Sequence, residues 1–131
     1  MRQDFFDTNV LLYLTDSREN IRLTSRGLIK AGGIVSVQVL NEATRVLRRK
    51  FSFTWEQVDG FLASVKAKCE VVPLTLETHE NALAYAQRYQ LGIYDANIVA
   101  AAVLAGCTTL YSEDMRSGMV VDGLTIRNPY A

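Results

Sequence analysis

Two hydrophobic rhythms alternate along this chain. Short apolar runs, suited to buried strands, are separated by longer segments whose apolar positions recur every three or four residues, as on one face of a helix. The first run, Phe5-Phe6 within "QDFFD" (3–7), ends in a polar turn. Residues 18–31 then carry Ile21, Leu28 and Ile29 on one side and Arg18, Arg22, Arg26 and Lys30 at four-residue intervals, which predicts a helix stopped by Gly32-Gly33. "IVSV" (34–37) reads as a second strand. Helical spacing returns over 38–50 through Val39, Leu40, Ala43, Val46 and Leu47. It resumes over 54–67, where Thr54 and Gln57 form a capping-box pattern. "CEVVPL" (69–74) predicts a third strand, 77–90 a helix, Asp95 to Gly106 another helix, "TTLYS" (108–112) a fourth strand and "LTIR" (124–127) a fifth. This alternation predicts an α/β fold whose central, mostly parallel sheet of four to five strands is covered by helices on both faces.

Composition narrows the picture. With 131 residues, 49% of them hydrophobic, and no linker, repeat or low-complexity segment, residues 1–131 are expected to form a single domain with a sizeable core. Cys69 and Cys107, both in apolar surroundings, are too few for a disulfide framework and suit buried thiols in a reducing compartment. "MRQDFFDTN" turns acidic before an apolar signal region can form, and the uncharged stretch 96–112 is shorter than the ~20 residues of a membrane span. A cytoplasmic protein without membrane attachment is the expectation. The net charge is zero, but residues 1–68 hold eleven Lys/Arg against seven Asp/Glu and residues 69–131 hold three against seven. An anionic partner is therefore compatible with the neutral total.

The acidic residues have a geometric relation. Ligands of parallel α/β sheets bind at the carboxyl ends of the strands. Asp7 ends the first strand, Glu42 lies in the helix after the second, and Asp114 lies just past the fourth. Asp95 opens a helix that runs back antiparallel to the strands and so starts at the same edge. Each has a modest alternative: an Asx turn for Asp7, an ion pair with Arg45 for Glu42, a helix N-cap for Asp95, a turn aspartate for Asp114. Four carboxylates on one rim repel one another unless protons or cations intervene. Oxygen ligands without His or Cys favour Mg²⁺ or Mn²⁺ over zinc, and the matching chemistry is hydrolysis of a phosphodiester by an activated water.

Four segments, "FFDTNVLLYL", "VSVQVLNE", "YDANIVAAA" and "LYSEDM", taken in this order, resemble the acidic blocks of PIN-domain nucleases, and within them the VapC-like toxins of bacterial type II toxin–antitoxin pairs. The resemblance extends over the whole chain and implies a PIN-like three-layer α/β/α sandwich. It implies a Mg²⁺- or Mn²⁺-dependent endoribonuclease acting on a tRNA or rRNA loop and leaving a 5′-phosphate and a 3′-hydroxyl. The implied partners are a VapB-like antitoxin, seated in an apolar groove, and a second copy of the chain in a homodimer. Carried over by position, Asp7, Glu42, Asp95 and Asp114 match the catalytic, metal-binding carboxylates. Thr8 and Asn9 match a polar pair supporting the first aspartate, and Ser112 a small hydroxyl residue beside the last. Asp114 is preferred to the adjacent Glu113 as the fourth ligand. Asn97 departs from the pattern, since similar toxins carry an apolar residue there; it either bonds near the site or faces water.

Arg45, Arg48 and Arg49, with Lys50, are candidates for RNA phosphate contacts beside Glu42, and the Arg18–Lys30 stripe is a second candidate surface. Paired-histidine ribonuclease chemistry is excluded because His79 is the only histidine. A phospho-accepting receiver domain lacks its lysine, none occurring after Lys68, and no glycine pair leads into a Gly-Lys-Ser/Thr phosphate loop. The remaining rival is a PIN-like module that binds protein or RNA without cutting.

Overall fold

The computed structural model describes residues 3–131 and contains a six-stranded sheet in the order β3-β2-β1-β4-β6-β5. Five strands, β1 (Asp4–Phe6), β2 (Gly33–Ser36), β3 (Cys69–Val72), β4 (Thr109–Tyr111) and β6 (Leu124–Arg127), run parallel, as the alternation of the two rhythms predicts. A two-residue strand, β5 (Val120–Val121), adds an antiparallel edge. Between them lie α1 (Thr8–Leu12), a 3-10 turn (Tyr13–Thr15), α2 (Glu19–Ala31), α3 (Val37–Arg49), α4 (Trp55–Lys68), α5 (Leu76–Tyr89) and α6 (Ile93–Leu104).

Both faces of the sheet are covered, and β1 shows why. Successive strand residues point to opposite faces, yet Phe5 and Phe6 are both fully buried, as is every residue of β2. Helix α6 is buried on all sides from Ala96 to Ala102. Its alanines bring neighbouring backbones close, so the uncharged run after Asp95 belongs to the core rather than to an amphipathic surface. Among the described residues no helix is long and apolar enough to cross a membrane. Cys69 and Cys107 are buried and not disulfide-bonded, and burial pushes the Cys107 thiol up to about 11.

Element ends follow local hydrogen bonding. The strand expected at 34–37 lies one residue earlier, at Gly33–Ser36, and ends there because the Ser36 hydroxyl accepts from Val39 N–H and so starts α3 at Val37. The capping box expected at Thr54 forms, with Thr54 and Gln57 satisfying each other's backbone N–H groups, and Thr75 and Thr78 do the same for α5. Two elements escaped the periodicity. Helix α1 has only five residues, too few for a helical repeat to register. The β5–β6 hairpin turns through Asp122-Gly123, both at positive φ as a type I′ turn requires. That Asp-Gly pair is a hairpin signal visible in the sequence.

Asn97 neither faces water nor bonds near the carboxylates. Two residues past Asp95 is about 200° around a helix, so it leaves the opposite face of α6. It is buried, and its Oδ1 has no hydrogen-bond partner. An orphaned buried acceptor costs about 1–3 kcal/mol, and asparagine is a poorer helix former than alanine. Asn97→Ala is therefore expected to leave stability unchanged or raise it by about 1 kcal/mol, despite removing buried atoms. Urea denaturation measures this; a loss above about 1 kcal/mol would mean that Asn97 packs better than its unpaired oxygen implies.

Candidate active site

Asp7 stands where β1 ends and α1 begins. Its backbone N–H extends the sheet by donating to Tyr111 O at 3.0 Å, and its side chain caps α1 by accepting from Thr8 N–H at 2.7 Å. The other carboxylate oxygen accepts from the Ser112 hydroxyl at 2.7 Å. Ser112 lies just past β4, the strand beside β1, and is itself held by a bond from Met115 N–H. Asp7 is thus a buried carboxylate, 4% exposed, held through both oxygens by two neighbouring segments.

The other three carboxylates arrive from different elements. Glu42 projects from the middle of α3, where Thr8 Oγ1 donates to Oε1 at 3.4 Å and Gln38 Nε2 donates to Oε2 at 2.8 Å. Asp114 follows β4 and accepts from Asn9 Nδ2 at 2.8 Å. Asp95 sits in the first turn of α6 without a capping bond, because the N-cap is Gly92. The helix thus starts three residues before the N-cap expected at Asp95, whose side chain is free of that task and half-buried.

Electrostatics tie the group together. Burial, with lesser repulsion from Asp95 and Asp114, pushes the Asp7 carboxyl up to about 6, although the bonds from Ser112 and Thr8 pull it down. Burial and the charge of Asp114 also raise Asp95. Asp7, Asp95 and Asp114 therefore sense one another, and Glu42 joins through Thr8, which bonds both Asp7 and Glu42. Thr8, Asn9 and Ser112 each reach a carboxylate. Glu113 instead accepts from the Tyr13 hydroxyl, leaving Asp114 as the residue coupled to the aspartates. Gln38 was not singled out from the sequence, though its i, i+4 spacing to Glu42 is a readable signal.

The basic candidates divide. Arg45 and Arg49 lie three and seven residues past Glu42 and share its stripe on α3. Arg48 is turned away: its guanidinium donates to Phe53 O and lies 4.3 Å from the centre of the Trp55 ring, holding the segment that leads into α4. Among the described residues the only ion pair is Arg18–Asp16, so Arg45 does not pair with Glu42. Arg18 precedes α2 and, with Lys50, lines a cleft of about 620 Å³ bordered by Asn9 and Asp114. His79 is exposed on α5.

The donor set is carboxylate oxygens backed by hydroxyl and amide groups, with no His or Cys, which suits a hard divalent cation. Among the described residues, no group of three or more His, Cys, Asp or Glu side chains is already drawn together to hold one ion.

An acidic rim at the carboxyl edge of a parallel α/β sheet, built on these four segments, defines a PIN domain: the PIN-domain family pattern matches residues 5–117, and the chain belongs to that family. Solved structures with the same fold include a toxin–antitoxin complex from Klebsiella pneumoniae, at 20% identity and a TM-score of 0.74 over 97% of this chain and 98% of that one. Mycobacterium tuberculosis VapC20, a sarcin–ricin loop cleaving toxin, aligns at 20% identity and a TM-score of 0.70 over 85% and 89%. DNA-bound VapBC from Salmonella typhimurium aligns at 20% identity and a TM-score of 0.68 over 98% and 99%. At such identities these likenesses establish the fold. No curated protein sequence matches the chain.

Proposed function

We propose that this protein is a divalent-metal-dependent endoribonuclease and the toxin of a VapBC-type toxin–antitoxin pair. The observation that carries the reading is the coupling of Asp7, Asp95 and Asp114, with Glu42 bonded through Thr8, on one rim of a PIN fold. VapC20 is a loop-cleaving toxin, and several structures of like fold are toxin–antitoxin complexes, which supports an RNA loop as substrate and a VapB-like antitoxin as partner. In this reading residues 1–131 form one domain that acts in the cytoplasm, as a homodimer.

Asp7, Glu42, Asp95 and Asp114 are the residues that would hold Mg²⁺ or Mn²⁺. When bound, such an ion supplies positive charge at the reacting phosphate and makes water a stronger acid. The chain's own work is positional. Thr8 N–H and Ser112 hold Asp7, Asn9 holds Asp114, and Gln38 holds Glu42, so the carboxylates keep their places against mutual repulsion. Arg45 and Arg49 offer charge to the phosphates flanking the cut. With no histidine at the rim, protons exchange with water or the carboxylates rather than with an imidazole.

Purified protein is expected to cut RNA with Mg²⁺ or Mn²⁺ and to stop on addition of EDTA. Expression without a partner is expected to arrest growth, and expression of Asp7→Asn is not. The non-cutting module predicts RNA binding without product and equal harmlessness of both proteins; that pattern would reject the nuclease reading.

A further inference from the structure

Beside Glu42 the surface opens into a pocket of about 220 Å³ lined by Gln38, Asn41, Glu42, Arg45 and Tyr94. It is smaller than the sites that take drug-sized molecules, so it suits a single small ring. Tyr94 is 66% exposed although it directly precedes Asp95. A large aromatic side chain left in water contributes little to folding, and exposed aromatics are one way in which proteins hold unstacked bases. Asn41, Arg45 and the Tyr94 hydroxyl have no hydrogen-bond or ion-pair partner among the described residues. Gln38, by contrast, is engaged with Glu42. The pocket therefore offers an aromatic face, an amide with donors and acceptor, and a cation, all uncommitted; Tyr94 and Asn41 are each one residue, and Arg45 three residues, from a rim carboxylate.

We propose that this pocket is a nucleobase subsite: a base next to the cut phosphate stacks on Tyr94, Asn41 bonds its edge, and Arg45 pairs with the adjoining phosphate. The proposal rests on the ribonuclease reading and adds that the substrate strand is unpaired and unstacked at this nucleotide. Base pairing would keep the ring inside a helix, where Tyr94 cannot reach its face. Sequence preference at this one position then comes from Asn41 and the ring, while Arg45 contributes affinity without preference.

The test uses the full chain and a short single-stranded RNA of mixed sequence whose cut site has been mapped with wild type in Mg²⁺ or Mn²⁺. Each nucleotide flanking the cut is replaced in turn by an abasic one, and binding is measured by fluorescence anisotropy in EDTA. Wild type is expected to lose about tenfold in affinity at one abasic position, equivalent to about 1.4 kcal/mol. Tyr94→Ala is expected to bind the intact RNA about tenfold more weakly, with unchanged Tm and no further loss at that position. Tyr94→Phe, which keeps the ring, is expected to restore both. If Tyr94→Ala binds like wild type, or keeps wild-type sensitivity to the abasic position, the subsite is wrong while the nuclease stands. If wild type cuts no RNA with either metal, both readings fall.

Discussion

Asp7→Asn is expected to abolish RNA cleavage and, in the metal-free protein, to raise stability. The activity loss should be about a thousandfold or more, the order seen when a group that organises charge at the reacting centre is removed. The stability gain follows from the strain already in the site. The Asp7 carboxyl is raised from 3.8 to about 6, chiefly by burial. The native state therefore binds this proton more tightly than the unfolded chain does. Stability from this group is fully present below about pH 3.8 and is lost as pH rises through about 6. At pH 7 the cost of keeping Asp7 ionised approaches about 3 kcal/mol, and at pH 5 about half that. Asparagine keeps Oδ1 for Thr8 N–H, and its amide can donate to Ser112 Oγ, so both contacts survive without the charge.

Chemical denaturation in EDTA at pH 5 and pH 7 measures the effect. The advantage of Asp7→Asn over wild type should be larger at pH 7. Added Mg²⁺ or Mn²⁺ should raise the Tm of wild type by mass action and leave the variant nearly unmoved. A variant less stable than wild type at pH 7 would show that the two donors matter more than the buried charge. Activity and stability are expected to pull in opposite directions here, because a buried charge that serves a reaction costs the fold.

Gly33→Ala is expected to be the most damaging small substitution in the sheet. A Cβ at Gly33 would lie 2.6 and 2.7 Å from the Phe6 ring and 2.9 Å from Asp4 O. The ring cannot retreat, since Phe6 is fully buried and stacked on Tyr111, and the carbonyl belongs to the adjacent strand. β1 and β2 must therefore separate locally. Overpacking of this kind costs about 2–3 kcal/mol, lowering Tm by roughly 10 °C in a domain of this size. Phe6 is followed by Asp7, so the shift should also reach the site. Cleavage measured well below both Tm values should fall further than the folded fraction explains. A variant within about 0.5 kcal/mol of wild type would mean that the strands are less tightly spaced than these distances state.

Much of this architecture is local physics. Short apolar runs and the period-3.6 pattern located the five parallel strands and the five longer helices, because burial acts on each element locally. The convergence of Asp7, Glu42, Asp95 and Asp114 on one rim was also legible, since parallel strands joined by helices all end at the same edge. Reading the rim needed chain direction alone, not the order of strands. The resemblance of four segments to the acidic blocks of PIN nucleases named the family that the match over residues 5–117 establishes.

What the chain does not state locally, tertiary packing decided. The sequence reading starts the helix at Asp95; the chain instead enters α6 at Gly92 and leaves Asp95 inside the first turn, free for the rim. Arg45, Arg48 and Arg49 look alike in sequence, but only contact with Phe53 and Trp55 removes Arg48 from the group. Which donor holds which carboxylate spans 105 residues for both Ser112–Asp7 and Asn9–Asp114. Such bonds follow from the placement of β4 beside β1, and the burial of Asn97 follows from how α6 packs. Periodicity reports how one segment meets its surroundings, whereas pairings between distant segments exist only once the sheet has brought them together.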